Sequence, residues 1–124
     1  MDFRTYRELA LTAEPGWGIA FLKQHKYEIY HQTLYWLMDT GLHISKDELY
    51  VEQLAGCDII FCRLHPFRLE SFLRSQDIPL YKSDSESRWV LPQPILPYHY
   101  RRWRASLIMT SRIQIISAPL MVKR

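Results

Sequence analysis

The sequence predicts an α+β fold: three to four short helices with a β-hairpin and a C-terminal strand. Three observations predict it. Apolar residues recur at helical spacing in several segments, the run CDIIFCRL is apolar and β-branched over the length of one strand, and a polar tip from Ser83 to Ser87 divides two short extended segments. The chain has 124 residues and is 48% hydrophobic, which suits a single compact domain over 1–124 and leaves too little core for two.

In chain order, Phe3 to Ala13 reads as a helix, with Asp2 as its N-cap and Phe3, Tyr6, Ala10 and Ala13 on one face. The stretch EPGWG ends it. A second helix is expected through KYEIYHQTLYWLMD, where Tyr27, Tyr30, Leu34 and Leu37 or Met38 recur at helical spacing, and Gly41 is placed to stop it in a left-handed turn. ISKDEL carries a capping-box pattern from Ser45 to Glu48, with Ile44 and Leu49 as a hydrophobic staple. It predicts a third helix holding Leu49, Tyr50, Leu54 and Ala55 and closing at Gly56. CDIIFCRL then gives a buried strand. Pro66 opens a further helix, PFRLESFLRSQ, with Leu69, Phe72 and Leu73 inward. Ile78 to Lys82 and Arg88 to Leu91 form a hairpin. Pro92, Pro94 and Pro97 make 92–97 an extended connector, each proline removing a backbone donor. In the basic, aromatic segment 98–124, RIQIIS alternates Ile113 and Ile115 with Arg112 and Gln114, which favours a strand.

Helix, capped helix, proline-started helix and polar-tipped hairpin, in that order, resemble a winged-helix arrangement. The resemblance covers the middle of the chain. It implies that the proline-started helix meets the DNA major groove and the hairpin lies along the backbone. Arg68 and Arg74, with Ser71 and Ser75, would then be the base-edge and phosphate readers, and Lys82 and Arg88 would flank the tip.

Charge supports the same expectation. Up to Cys62 five bases face nine acids, a net of −4; from Arg63 onward eleven bases face four acids, a net of +7, and no acid follows Glu86. Most of these late bases are arginines, suited to bidentate phosphate contacts and to stacking. PYHYRRWR concentrates Arg101, Arg102 and Arg104 with Tyr98, Tyr100 and Trp103, a combination that neutralises phosphates and offers ring faces to unpaired bases. The expected function is therefore a small nucleic-acid-binding protein, DNA-binding and regulatory. The alternative is a protein-interaction module or accessory subunit docking on an acidic partner, because Tyr, Trp and Arg are also the residues of binding hot spots. Halves of opposite charge also suit a homodimer.

Other chemistries find less support. Cys57 and Cys62 stand five apart in strand-like sequence, so with His65 nearby they do not have the paired spacing of a zinc site, and neither a metal nor another cofactor is expected. The sequence has no glycine-rich phosphate loop, nucleophile elbow or H-E-x-x-H, so no enzymatic activity is expected. Two cysteines, a charged N-terminus and the lack of a long apolar segment predict a cytoplasmic protein with no membrane partner.

Overall fold

The computed structural model describes the backbone of residues 3–122 and the side chains of residues 5–111. Four helices and six strands follow in the order α1 (Phe3–Thr12), β1 (Trp17–Lys23), β2 (Lys26–Tyr30), α2 (His31–Thr40), β3 (Leu49–Leu54), β4 (Cys57–Leu64), α3 (Pro66–Ser75), β5 (Tyr81–Lys82), β6 (Glu86–Val90) and α4 (Pro97–Val122). The strands form one antiparallel sheet in the order β3-β4-β2-β1-β6-β5.

The fold is α+β, with a wide sheet at its centre. Side chains alternate across a strand, so the register sorts the core into two layers. Ala20, Tyr27, Ile29, Ile60, Cys62, Leu64 and Trp89 share one cluster with Leu34 and Leu37 of α2, Leu69 and Leu73 of α3, and Trp103, Leu107 and Ile108 of α4. Ile19, Phe21, Tyr30, Ile59 and Phe61 occupy the other face, where Leu9 and Leu11 of α1 pack. Coverage on both faces explains the apolar runs 19–22 in β1 and 59–62 in β4.

One predicted helix becomes a strand, and another yields its first residues to one. Lys26–Tyr30 is β2, and only His31–Thr40 is helical. Tyr27 and Ile29 enter one layer while Tyr30 enters the other, a period of two that spacing alone did not separate from a helix. The capping box does form, with the Ser45 N–H donating to Glu48 Oε1 at 3.1 Å, but it closes a single 3-10 turn, Lys46–Glu48. Leu49–Leu54 then pairs with Cys57–Leu64, and Ala55 and Gly56, both left-handed at φ 50° and 79°, make the two-residue turn between them. Long-range pairing outweighs the local helix signal.

The C-terminal segment is corrected as well. In place of a C-terminal strand, α4 runs from Pro97 to Val122, with proline at the first position where its missing N–H costs nothing. The side chains of Arg112, Ile113, Gln114 and Ile115 lie outside the described residues, as do Asp2 and the side chain of Phe3. A winged-helix arrangement is not found, since a β3–β4 hairpin separates α2 from α3 and both helices pack on the sheet.

The expected β4 strand, the Pro66 helix and the polar-tipped hairpin are present. In α3 the His65 Nδ1 accepts the Phe67 N–H at 3.1 Å, a cap that fixes where the helix begins. Gly41 ends α2 at φ 119°, its N–H reaching the carbonyls of Leu37 and Met38.

Candidate interaction surfaces

Helical rather than strand periodicity decides what the basic aromatic segment presents. Residues three and four apart share a face of α4, so Tyr100, Trp103, Arg104 and Leu107 turn inward together. Tyr100 and Trp103 meet Tyr35 of α2 edge-on, with ring centroids 6.0 and 5.5 Å away. Arg104 donates through Nη2 to the carbonyl of Asp58 at 2.7 Å, pinning α4 to the start of β4. Its Nη1 and the Nε2 of His31 are buried without a hydrogen-bond partner among the described residues. Burial, with Arg104 adding to it, pushes the His31 imidazole down to about 4. Burial likewise raises the Tyr100 hydroxyl, with Arg104 opposing.

Tyr98, His99, Arg101 and Arg102 remain outside. Tyr98 is 60% exposed, and the Arg102 guanidinium lies 5.7 Å from its ring centre. Neither Arg101 nor Arg102 meets a carboxylate among the described residues.

The other expected cations are mostly paired. Arg68 binds the Glu48 carboxylate and the His43 carbonyl, and Lys82 lies 3.0 Å from Glu70. Arg88 bonds Glu86 through both Nε and Nη2, at 3.0 and 2.8 Å. Arg74 is exposed on α3 and has no carboxylate partner among the described residues. The ten charged and aromatic side chains singled out by sequence thus divide among α3, the hairpin and α4, with Tyr100, Trp103 and Arg104 directed into the molecule.

The structure adds a surface that sequence reasoning missed. Trp17 and Val90 face each other across β1 and β6, and the Trp17 ring meets Tyr81 edge-on at 6.3 Å. All three are exposed, Tyr81 to 57% and Val90 to 51%. Trp17 lies between two depressions. One, of about 430 Å³, is lined by Trp17, Tyr81, Lys82, Ser83, Glu86 and Arg88. The other, of about 230 Å³, has Trp17, Pro15, Ile95, Pro97 and Tyr100 among its walls. An aromatic strip therefore runs from Tyr81 through Trp17 to the start of α4. The sequence signals for it were the tryptophan in a turn-like EPGWG and the hairpin strands that carry Tyr81 and Val90, but β1 was not anticipated.

A buried charge network lies beneath α1. Glu8, 2% exposed, receives Lys23 Nζ at 2.6 Å; Glu28 receives Lys23, the Tyr30 hydroxyl at 2.6 Å and Arg63 at 3.2 Å. Burial works to raise the Glu28 carboxyl, but Tyr30, Lys23 and Arg63 outweigh it and hold it low. Every carboxylate in the network has its cation, so it ties α1 to the sheet. Cys57 is exposed and Cys62 buried, burial pushing the latter's thiol up and away from nucleophilic use. No group of three metal-ligating side chains occurs among the described residues, and none of their helices is long and apolar enough to cross a membrane. No family model, curated protein or solved structure matches this chain.

Proposed function

We propose that the protein is an interaction module that docks on an acidic partner protein, using the Tyr81–Trp17 strip as its apolar contact and Arg101 and Arg102 as its charged rim. The observation that supports this reading is the exposed aromatic pair itself. Trp17 and Tyr81 are held edge to face on a rigid sheet beside Val90, with two depressions flanking them. Desolvated aromatic anchors beside arginines have the composition of binding hot spots. Each aromatic anchor typically contributes about 2 kcal/mol or more. Cross-linking capture from the native cell, read by mass spectrometry, tests it: the variants Trp17→Ala/Tyr81→Ala and Arg101→Glu/Arg102→Glu should each lose the acidic partner. Recovery by both variants equal to that of the unmodified protein refutes the proposal.

Nucleic-acid binding is the second reading, favoured by the consecutive exposed Arg101 and Arg102 beside the open Tyr98 ring. With Arg74 they offer three cations not paired to a described carboxylate. Three phosphate contacts give a log–log salt slope of about −2.7, so duplex affinity should fall roughly 40-fold between about 50 and 200 mM salt. Anisotropy with labelled duplex checks this, and Arg101→Ala/Arg102→Ala should flatten the slope to about −0.9. No binding at low salt removes this reading and leaves the first intact.

A further inference from the structure

The two edges of the sheet differ. β5 has two residues and follows Pro79, so it offers little to pair with. β3 has six residues, Leu49–Leu54, with no proline, lysine or bulge to blunt it, and Glu52 is its single charge. Such an edge is a template for another strand.

The turn fixes which backbone groups are open. A two-residue loop with both residues left-handed closes on a hydrogen-bonded pair, here Leu54 and Cys57. Counting back by twos, Tyr50, Glu52 and Leu54 turn their backbone groups toward β4, and Leu49, Val51 and Gln53 turn theirs outward. The Leu49 N–H is taken by the Lys46 carbonyl. That leaves the Leu49 carbonyl and both groups of Val51 and Gln53 facing out, with no backbone partner among the described residues.

We propose that β3 pairs antiparallel with β3 of a second copy about a twofold axis through Val51. A twofold normal to the sheet keeps each face continuous, so opposed residues must share a face and one-residue slips are excluded. With Val51 opposite the partner's Val51, four hydrogen bonds form: Val51 N–H to carbonyl in both directions, and Gln53 N–H to the partner's Leu49 carbonyl in both directions. Tyr50 then stands across from the partner's Glu52. Of the two neighbouring allowed registers, one sets Glu52 against the partner's Glu52, a like-charge pair that costs stability, and the other, centred on Tyr50, forms only two such bonds because the Leu49 N–H is already taken. The strand is thus self-complementary in one register.

The course of α4 independently identifies the occupant as a second copy. The helix begins beside Trp17 and Leu91, passes Asp58 at Arg104, and packs on β3 farther along, Leu107 and Ile108 joining the same core as Leu49 and Val51. It crosses the sheet toward the β3 edge and continues to Val122, about 21 Å of helix after Ile108. From Ala105 to Val122 the sequence has one charge, Arg112. A twofold at Val51 brings the backbone of this helical extension in each copy to the other's side of the edge, an approach between two helices that a lone extended peptide does not make.

Light scattering on the eluting full chain at micromolar concentration should give twice 14.9 kDa. Val51→Pro removes an outward N–H and leaves the β3–β4 ladder whole, and Val51→Lys places like charges at the axis. Each should weaken dimerisation at least tenfold. In a Cys57→Ser background, Val51→Cys should oxidise to a covalent dimer, because a hydrogen-bonded antiparallel pair holds its Cα atoms about 5.5 Å apart, within disulfide range. This cross-link decides the matter even if a Val51 variant folds poorly. A monomeric wild type overturns the proposal. So does a dimer indifferent to both substitutions, or a cross-link that forms through Glu52→Cys and not through Val51→Cys.

Discussion

Gly18→Ala should destabilise the protein through one aromatic ring. Gly18 lies in β1 directly opposite Trp89 of β6, and the indole covers it. A Cβ added at Gly18 would stand 2.5 Å from both Cζ2 and Nε1 of Trp89 and closer still to Cε2, a separation that real Cβ atoms do not show. Ordinary contact is about 3.5 Å, so the ring must retreat by roughly 1 Å. Trp89 is fully buried, with Trp36 behind it at a centroid distance of 6.2 Å, so that retreat forces repacking. Overpacking of this kind costs about 1–3 kcal/mol. A clash this close belongs in the upper half of that range, and replacing a strand-interior glycine returns about 0.5–1 kcal/mol, so the net loss should be about 1–2.5 kcal/mol. Urea unfolding followed by tryptophan fluorescence, with an unchanged m-value, measures it. In a Trp89→Phe background, where most of the clashing atoms are gone, the same substitution should cost less than half as much. A neutral Gly18→Ala, or an identical loss in both backgrounds, refutes the packing argument.

His31 supplies a pH prediction. The folded imidazole titrates at about 4 against an ordinary 6.5, so between those values the unfolded chain binds a proton that the folded chain does not. Its contribution is complete above pH 6.5 and is lost as pH falls toward 4, by up to about 3 kcal/mol. His31→Asn keeps a residue tolerant of the positive φ of 38° and should abolish that loss; urea midpoints at pH 7 and 4.5 for both proteins check it. Arg68→Ala leaves the Glu48 carboxylate and the His43 carbonyl without their shared partner, and because the pair is partly exposed the cost should be about 1 kcal/mol. The Arg68 hydrogen bond lowers the Glu48 carboxyl, so the part of this difference that Glu48 supplies should be present above the ordinary carboxylate range and be lost as pH falls through the folded value, leaving the His43 part, as seen in the same unfolding measurements.

Legibility in the sequence followed how local each signal was. Pro66 at a first helical position, Gly41 in a left-handed turn and the polar tip before β6 act within a few residues, and each was readable. β2 and β3 were not, because both borrowed their conformation from β4. Tyr27 and Tyr30 can be spaced as a helix or as opposite faces of a strand, and only pairing with Leu64 and Phe61 decides. The same ambiguity governed the candidate site. As a strand, residues 98–104 would turn Tyr98, Tyr100 and Arg102 to one side. As a helix they turn Tyr100 with Trp103 and Arg104 inward and leave Tyr98 beside Arg102.

The separation of charge along the chain has a use within the fold. Arg63 of the basic half bonds Glu28 of the acidic half at 3.2 Å, Arg68 binds Glu48, and Arg7 of the acidic half meets Glu86 at 3.0 Å, so three cross-half pairs join β4 to β2, α3 to the turn before β3 and α1 to β6. Lys82 and Arg88 find carboxylates closer in sequence, at Glu70 and Glu86. Among the described late bases this leaves Arg74, Arg101 and Arg102 without a carboxylate, with Arg104 directed to a carbonyl. Two or three cations can steer an acidic partner but cannot hold it tightly through salt. Affinity must then come from burying Trp17 and Tyr81, a contribution that salt does not screen. A partner that docks as proposed should lose association rate with added salt while its dissociation rate stays nearly constant, and Trp17→Ala should do the reverse. Surface plasmon resonance at two salt concentrations separates these outcomes, and a dissociation rate that climbs steeply with salt would place the binding energy in the arginines instead.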